Sequence, residues 1–338
     1  MSEAVVYHDA DADLTALAGQ RIAVIGYGNQ GRAQAMNLRD SGLDVIIGAI
    51  ADASRRRAEG DGFRVEEIAT ATQLADVVFL LIPDEIMPDV YERDIAPHLK
   101  ASAAIVFASG YNVAFGHLAP PKDIDVLMIA PRMIGEGVRD TYVDGRGFPS
   151  FVTVHQDATG KAQQRLLALA KGVGSTRAGC LELSMKDEAA LDLFSEQGFG
   201  PAFGAALTSA IETLIEAGYP PEAVFLELYM SGELAYTLKR FVDTGIIEQM
   251  DFHSRTSQYG SMTRSWRFAD VDLKTRMRDA LEEIRSGKFA AEWQAEQREG
   301  APRFAQLRAL RQHHPINEWE AQTRAAFGWK KVDAKKSE

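Results

Sequence analysis

The sequence predicts an α/β domain followed by an all-helical domain, and three observations support this prediction. Short β-branched runs alternate with helical segments in the first half, a pattern typical of a parallel sheet with helices on both faces. From Ser184 onward, long periodic segments replace these strand-like runs. The length of 338 residues gives room for two domains, at roughly 100 to 200 residues each.

The elements of the first half follow one another in a regular order. The strand-like runs occupy residues 21–26, 44–48, 77–82, 104–107, 126–129 and 150–154. Helices are predicted between them, for example over 32–39, and a last one over 160–172. The sequence pattern changes from alternating strands and helices to long helical segments near 177–183. We therefore expect an α/β domain of residues 1–182, a helical domain of 183–330 and a solvated tail of 331–338.

Composition excludes several classes of protein. Hydrophobic residues make up 46% and charged residues 25%, which argues against a fibrous or disordered chain. The net charge of −11 predicts no nucleic-acid partner. A single cysteine, Cys180, and an acidic N-terminal segment without an apolar stretch predict a cytoplasmic location. No run approaches 18 apolar residues, so no membrane partner is expected.

A glycine-rich turn joins the first strand to the first helix. The order of strand, G-x-G-x-x-G and helix is that of a dinucleotide-binding Rossmann unit. In such a turn Gly26 permits the tight bend, Gly28 lets the backbone approach a pyrophosphate, and Gly31 allows close helix packing. The predicted cofactor residues here are Gly26, Tyr27, Gly28, Asn29, Gln30 and Gly31.

The loop after the second strand carries conflicting signals for the choice of cofactor. Asp52 could accept hydrogen bonds from the ribose hydroxyls of NAD and would repel a 2′-phosphate. Ser54 and the arginines Arg55, Arg56 and Arg57 could instead bind the phosphate of NADP, or the arginines could form the solvated start of the next helix. We favour NAD and keep NADP as the alternative.

Two acidic groups in the helical half are candidate metal ligands. Glu188, Asp192 and Glu196 are spaced four residues apart, so they share one helical face, and Mg²⁺ would relieve their mutual repulsion. A solvated acidic face is the alternative. Glu227 lies among apolar neighbours, where a buried carboxylate must be paired or bind metal, or else it is an exposed helix residue. Glu233 lies off the face of Glu227 unless Gly232 breaks the helix.

Together these segments resemble the ketol-acid reductoisomerase family. The motifs that carry the resemblance, in order, are IGYGNQG (25–31), LIPDE (81–85), FASGYN (107–112), APR (130–132), RAG (177–179), DLFSEQ (192–197) and IETLIEAGY (211–219).

The resemblance implies a Rossmann domain followed by a knotted helical domain, two of which intertwine in a homodimer. It implies two Mg²⁺ ions that bridge the substrate oxygens beside NADPH. Asp192 and Glu196 would then be metal ligands, Glu227 a third ligand from the second chain, and Glu188 an acid near the site. The resemblance adds three cofactor residues, which are Pro83, Asp84 and Ser109, and the catalytic candidates Arg132, Glu196 and Glu227.

The departures from the family pattern are concentrated at the site. Ser109 stands where the family has a histidine and Arg132 where it has a lysine, so neither can shuttle a proton near neutral pH. Arg132 either clamps a carboxylate or fills the position of the lysine. The family's fourth metal carboxylate falls on Ser231. Either Glu233 replaces this ligand, or the second Mg²⁺ site is weakened, so that one or two Mg²⁺ ions are expected. Ser254 is the one serine kept in the substrate-binding loop.

Three functions follow from these observations. The first is an enzyme repurposed for a small hydroxy or oxo acid, in which oxidation, rearrangement and reduction leave no net redox change. Natural-product members of the family, including a cyclopropanol-forming type, would suit such a site. The second is a true ketol-acid reductoisomerase of branched-chain amino acid synthesis with an altered proton relay. The third is a non-catalytic dinucleotide-binding protein. His253 and His117 are possible replacement acid–base groups, or structural histidines.

Overall fold

The computed structural model describes residues 4–332, which divide into two compact units. The first unit ends at Asp192 and the second comprises Leu193–Val332. The division falls inside the helix Met185–Phe194 rather than in a loop. Most of the predicted tail, residues 333–338, lies outside the described residues.

A mixed sheet of nine strands forms the core of the first unit over its described residues. The strands are β1 Val6–Tyr7, β2 Arg21–Ile25, β3 Asp44–Gly48, β4 Arg64–Glu66, β5 Val77–Leu80, β6 Ala104–Phe107, β7 Asp125–Pro131, β8 Ser150–Gln156 and β9 Cys180–Glu182. Their order across the sheet is β1-β9-β8-β7-β6-β5-β2-β3-β4. Strand β2 therefore lies between β3 and β5, at the point where the strand order reverses and where open α/β sheets bind their ligands.

Both faces of this sheet are buried because successive side chains of each strand enter different apolar clusters. Ile22 and Val24 of β2 pack in one cluster, whereas Ala23 and Ile25 pack in the other. Strands β5 and β6 alternate in the same way. A strand that is apolar on both faces needs helices on both sides, so the predicted doubly wound arrangement is confirmed.

The predicted sheet was parallel throughout, and this is wrong at one end. Strands β4, β3, β2, β5, β6 and β7 are parallel, but β8 runs antiparallel to β7 and β1 antiparallel to β9. Strands β1, β4 and β9 were not predicted. Each has only two or three residues, too few for an alternating pattern to be recognised.

Eight α-helices begin in the described part of the first unit. They are α1 Asn29–Asp40, α2 Ala53–Gly60, α3 Ile68–Leu74, α4 Met87–Val90, α5 Tyr111–Ala114, α6 Gly135–Val143, α7 Ala162–Val173 and α8 Met185–Phe194. Helix α1 begins three residues before the predicted 32–39 because Gly28 is its N-cap. Helix α7 ends at Val173, and its C-cap residue Gly174 has a φ of +97°, a left-handed conformation that favours glycine.

The second unit contains only helices within residues 193–332, so the predicted all-helical half is confirmed. Its α-helices are α9 Gly200–Glu216, α10 Pro221–Phe225, α11 Glu233–Thr244, α12 Arg255–Arg264, α13 Leu273–Arg285, α14 Lys288–Arg298, α15 Pro302–Gln312 and α16 Ile316–Ala326. None of the described helices has the length and apolar character needed to cross a bilayer.

The second unit buries few of its large apolar side chains. One small cluster joins Ile211, Val224 and Phe225 with Trp319 of α16 at its edge. Many other apolar residues of this unit are exposed, among them Val242 at 85% and Ile247 at 82%. Exposed apolar surface is typical of protein–protein or membrane interaction sites and of ligand-binding grooves.

Candidate active site

Four neighbouring parallel strands bring the predicted cofactor residues of the first unit to one edge of the sheet. Strands β2, β5, β6 and β7 run in the same direction, so their carboxyl ends lie side by side. Gly26 follows β2, Pro83 and Asp84 follow β5, Ser109 follows β6, and Arg132 follows β7. This edge is where sheets of this type bind nucleotides.

The geometry of the glycine turn explains its three glycines. Gly26 has a φ of +94°, and a Cβ there would lie 2.6 Å from the carbonyl oxygen of Leu81. A Cβ on Gly31 would lie 2.2 Å from the carbonyl oxygen of Gly26, so only glycine lets the helix approach the strand. A Cβ on Gly28 would meet nothing within 4 Å, so the space in front of the N-terminus of α1 is open.

Other residues of this turn hold the loop to the protein. The Tyr27 side chain is 1% exposed and its hydroxyl donates to Asp61 Oδ2 at 3.0 Å. Only the backbone of Tyr27 is therefore left for a cofactor. Gln30 Nε2 donates to the carbonyl of Met133 at 2.9 Å, and Asn29 packs closely against Gly135.

Asp52 is exposed and caps helix α2. Its Oδ1 accepts from the Ser54 amide at 2.9 Å, from Ser54 Oγ at 2.7 Å and from the Arg55 amide at 3.1 Å. The hydrogen bond from Ser54 lowers the pKa of the Asp52 carboxyl, so the group is charged at neutral pH. Arg55 is engaged with Glu67 at 2.7 Å and Glu59 at 3.3 Å. Ser54 and Arg55, two of the groups that could bind a 2′-phosphate, are therefore engaged with protein partners.

The loops after β5 and β6 are joined to each other. Asn112 Nδ2 donates to Asp84 Oδ1 at 3.0 Å and to the Asp84 carbonyl at 3.1 Å. Ser109 Oγ accepts from the Tyr111 amide at 3.2 Å. These bonds fix the positions of two predicted cofactor residues, Asp84 and Ser109, before any ligand binds.

Arg132 joins the end of β7 to two successive turns of helix α8. Its NH1 group donates to Asp192 Oδ1 and its NH2 group to Glu188 Oε1, both at 2.8 Å. Both terminal nitrogens therefore pair with carboxylates of the protein. Each terminal nitrogen keeps a second N–H, so both roles that the sequence left open for Arg132 stay predictions.

Glu188 is the buried member of this network. Its side chain is fully buried, whereas that of Asp192 is 42% exposed. The Gly110 amide donates to Glu188 Oε2 at 2.7 Å, so each carboxylate oxygen of Glu188 has a donor. Burial raises the pKa of the Glu188 carboxyl, although the Gly110 amide and the Arg132 guanidinium oppose this shift. A Cβ on Gly110 would lie 2.2 Å from the Met185 carbonyl oxygen, so glycine is required for this contact.

The remaining predicted metal ligands lie on π-helical turns of the second unit. Glu196 belongs to the π-helical turn Ser195–Phe199, and Glu227 belongs to the π-helical turn Leu226–Met230. Both side chains are exposed, so the alternative of an exposed Glu227 is the one observed. Such turns are rare and occur frequently at functional sites.

The helix that carries Glu227 ends before Glu233. Gly232 adopts a left-handed conformation with a φ of +85°, and α11 begins at Glu233. The helical register is thus broken at Gly232. This was the condition under which Glu233 could lie on the same side as Glu227. The Glu233 amide lies 3.4 Å from Ser231 Oγ. The Ser254 hydroxyl accepts from the Ser257 amide at 3.2 Å and caps α12.

The described residues of one chain do not contain three or more grouped side chains that could hold a metal ion. Asp192 and Glu196 nevertheless offer carboxylate oxygens, the donors that Mg²⁺ prefers, and Mg²⁺ commonly needs only one or two of them. The donor set therefore fits Mg²⁺.

One group of residues near Glu227 was not anticipated from the sequence. The Tyr229 hydroxyl donates to Glu320 of α16, and Arg324 donates to the same carboxylate at 2.8 Å. Tyr229 lies two residues from Glu227 on the same π-helical turn. No local pattern could reveal this contact because Tyr229 and Glu320 are 91 residues apart.

The doubly wound sheet and its glycine turn define a dinucleotide-binding protein of the Rossmann type. Comparison with known proteins supports this class, first through family models and then through individual relatives. The model of the acetohydroxy acid isomeroreductase NADPH-binding domain matches residues 16–179, and the model of the ketol-acid reductoisomerase C-terminal domain matches residues 185–329. The chain therefore belongs to the ketol-acid reductoisomerase family of NAD(P)-dependent oxidoreductases and isomerases.

Individual relatives are similar to this chain over most of its length. The putative ketol-acid reductoisomerase 3 of Saccharolobus solfataricus is 46% identical over 301 residues, which are 88% of this chain and 90% of that protein. The structure of an NADH-preferring ketol-acid reductoisomerase from an uncultured archean has a TM-score of 0.90 at 36% identity, covering 95% of this chain and 98% of that chain. A semialdehyde dehydrogenase NAD-binding protein from Cupriavidus necator shares the fold alone, with a TM-score of 0.59 at 19% identity over 79% of this chain and 99% of that chain.

Proposed function

We propose that this chain is a homodimeric, Mg²⁺- and NADH-dependent enzyme that acts on a small hydroxy or oxo acid. The observation that carries the proposal is the network of Arg132 with Glu188 and Asp192, because it links a candidate metal ligand to the loops at the cofactor edge. The substrate would lie between the nicotinamide and the metal-ligating carboxylates.

NADH is favoured over NADPH by the loop after β3. The charged Asp52 carboxylate would repel a 2′-phosphate and could accept from the ribose hydroxyls. Arg55 is already paired with Glu67 and Glu59. The NADH preference stated for the structurally similar archaeal protein supports the same choice.

The metal would be held by Asp192 and Glu196 of one chain with Glu227 of the second chain. Once bound, Mg²⁺ supplies Lewis-acid polarisation of a substrate oxygen. The exposure of Glu196 and Glu227, together with the exposed apolar side chains of the second unit, supports a site completed by a second chain. Glu233 is a candidate for an additional ligand because Gly232 releases it from the preceding helix.

The substrate is proposed to differ from that of the branched-chain pathway. Serine is not an acid or base near neutral pH and arginine is a permanent cation, so neither residue type relays protons, and the guanidinium of Arg132 pairs with two carboxylates. The chemistry best suited to such a site takes a hydride from a carbinol carbon to NAD⁺, changes the carbon skeleton of the resulting ketone, and returns the hydride. Formation of a cyclopropanol in a natural product is one example of such a sequence without net redox change.

A true ketol-acid reductoisomerase of branched-chain amino acid synthesis is the second candidate. The 46% identity to a protein of that name favours it, as does the high structural similarity to a second one. If the chain is a true ketol-acid reductoisomerase, a water molecule or a side chain of the second chain would replace the missing titratable groups at positions 109 and 132.

One assay separates the two candidates. Purified protein is incubated with acetolactate, Mg²⁺ and either NADH or NADPH, and cofactor oxidation is followed by absorbance. We expect little oxidation, and we expect density for a small acid in crystals soaked with NAD⁺, Mg²⁺ and an acid-containing cell extract. Oxidation at the rates ordinary for the family would instead establish the second candidate. Asp192→Ala should be inactive on either substrate, and retained activity would refute the metal assignment.

A further inference from the structure

Arg132 places a positive charge directly on a carboxylate that we propose as a metal ligand. Its NH1 group donates to Asp192 Oδ1 at 2.8 Å. A divalent cation bound to Asp192 would therefore lie close to the guanidinium, and arginine carries a permanent positive charge. Like charges at such a separation repel each other.

The guanidinium is anchored independently of Asp192. Its NH2 group donates to the fully buried Glu188, whose second oxygen is already held by the Gly110 amide. The ring of Phe151 lies 4.9 Å from the guanidinium carbon and supports it from one face. Arg132 is therefore held in place even when Asp192, the more exposed of its two partners, turns to another ligand.

We propose that Arg132 is a positioning residue whose side chain supplies a positive charge at the metal site. It holds Asp192 in the metal-free enzyme and competes with the divalent ion for this carboxylate, so it sets a low affinity for the ion. This inference rests on the proposed function, in which Asp192 is a metal ligand. Paired with Arg132, Asp192 offers the ion less net negative charge than an unpaired carboxylate would.

The test uses Mn²⁺ alone as a spectroscopic probe of the purified full-length protein. Free Mn²⁺ is titrated by electron paramagnetic resonance, which measures binding without any catalytic turnover. The variants are Arg132→Met, which removes the charge but keeps an unbranched side chain, and Arg132→Lys, which keeps a charge but cannot span two carboxylates with a planar fork.

Arg139 provides a matched control. Its guanidinium also pairs with a carboxylate, that of Asp40, also donates to a second side chain, Asn37, and also lies over an aromatic ring, that of Tyr142. Its side chain is 23% exposed, against 26% for Arg132. Arg139→Met should leave the Mn²⁺ affinity unchanged.

We expect Arg132→Met to bind Mn²⁺ about tenfold more tightly or better than the wild type, with Arg132→Lys in between. An affinity that is unchanged or weaker in Arg132→Met would overturn the inference while the proposed function stood. The absence of saturable Mn²⁺ binding in every variant would overturn the proposed function itself. If Arg132→Met does not fold because Glu188 loses its partner, the double variant Arg132→Met/Glu188→Gln removes the buried charge and must show the same increase.

Discussion

Single side chains at the cofactor edge have roles that depend on partners far away in the sequence. The sequence singles out Arg132 as a departure at the site, but its partners Glu188 and Asp192 lie 56 and 60 residues away. Their spacing predicted the shared helical face correctly, since that depends only on the helical period. The pairing with Arg132 depends on tertiary structure and could not be derived from either segment alone.

Gly28→Ala should weaken NADH binding without affecting the fold. The φ of Gly28 is −80° and a Cβ meets nothing within 4 Å, so alanine is tolerated in the free enzyme. The added methyl group would occupy the space proposed for the pyrophosphate. We expect a loss of affinity of about tenfold or more, roughly 1.4 kcal/mol, by fluorescence titration with NADH.

Gly60→Ala is the control for this variant, because a Cβ on Gly60 also meets nothing within 4 Å. Both variants should melt at or slightly above the temperature of the wild type. Equal NADH affinity in Gly28→Ala and Gly60→Ala would contradict the assignment of the glycine turn as the pyrophosphate site.

Asp52→Ser should shift the preference from NADH toward NADPH. Serine keeps the cap of α2, since it accepts well from the amides of the first helical turn, but it removes the negative charge. The ratio of kcat/KM values for NADPH and NADH should rise about tenfold or more, because the 2′-phosphate is no longer repelled. Asp272→Ser, which alters the cap of α13, should leave this ratio unchanged. A constant ratio in Asp52→Ser would show that Asp52 does not select the cofactor.

At the level of elements, the central strands and long helices were predictable and the irregular ones were not. Strands β2, β3, β5 and β6 are short buried runs with clear breaks, so their composition alone identifies them. The edge strands β1, β4 and β9 owe their conformation to pairing with neighbours. The π-helical turns that carry Glu196 and Glu227 were also invisible, because a change of hydrogen-bond partner within a helix leaves no compositional signature.

The contact between α16 and the turn of Glu227 predicts a pH-dependent stability. Burial opposes ionisation of Glu320, but hydrogen bonds from Tyr229 and Arg324 prevail and lower the pKa of its carboxyl. A lowered folded-state pKa gives stability that is present above the unfolded value of about 4.3 and is lost as the pH falls through the folded value. Glu320→Gln should therefore be less stable than the wild type by about 1–3 kcal/mol at pH 7.

Urea unfolding at pH 7 and below pH 4 measures this difference, which should shrink in acid. Glu292→Gln breaks the exposed pair with Arg303 in the same unit and should cost less than about 1 kcal/mol at either pH. A loss in Glu320→Gln that is the same at both pH values would contradict a contribution from the carboxylate charge.

At the level of the whole molecule, the second unit leaves much of its apolar surface exposed. Its apolar residues are spaced as a helical period requires, yet many of them are exposed, including Phe268 at 74%. The sequence could predict the helices but not which chain covers them. The family resemblance supplied the expectation of an intertwined homodimer, and the exposed side chains agree with it.

A site shared between two chains predicts complementation between inactive variants. Asp192→Ala and Glu227→Ala should each be inactive. When they are coexpressed with different tags, half of the dimers are mixed and each mixed dimer contains one intact site, so the mixture should recover about one quarter of wild-type activity.

Asp192→Ala coexpressed with Glu196→Ala is the control. These two residues belong to the same chain's half of the site, so every site in a mixed dimer remains defective and no activity should return. Failure of the first pair to recover activity, with mixed dimers isolated by both tags, would contradict the contribution of Glu227 from the second chain.

The π-helical turns also bear on the evolution of this site. Each such turn contains one residue more than an α-helical turn would, and a helix can lose that residue and remain a helix. The deletion would rotate the residues on one side of it by about 100° relative to those on the other. A homologous sequence with a one-residue gap in 195–199 or 226–230 could thus keep every acidic residue of the predicted metal site. Its carboxylates would nevertheless no longer point the same way as in this chain. A gap at either place would therefore indicate a change in the proposed metal site even where every acid is kept.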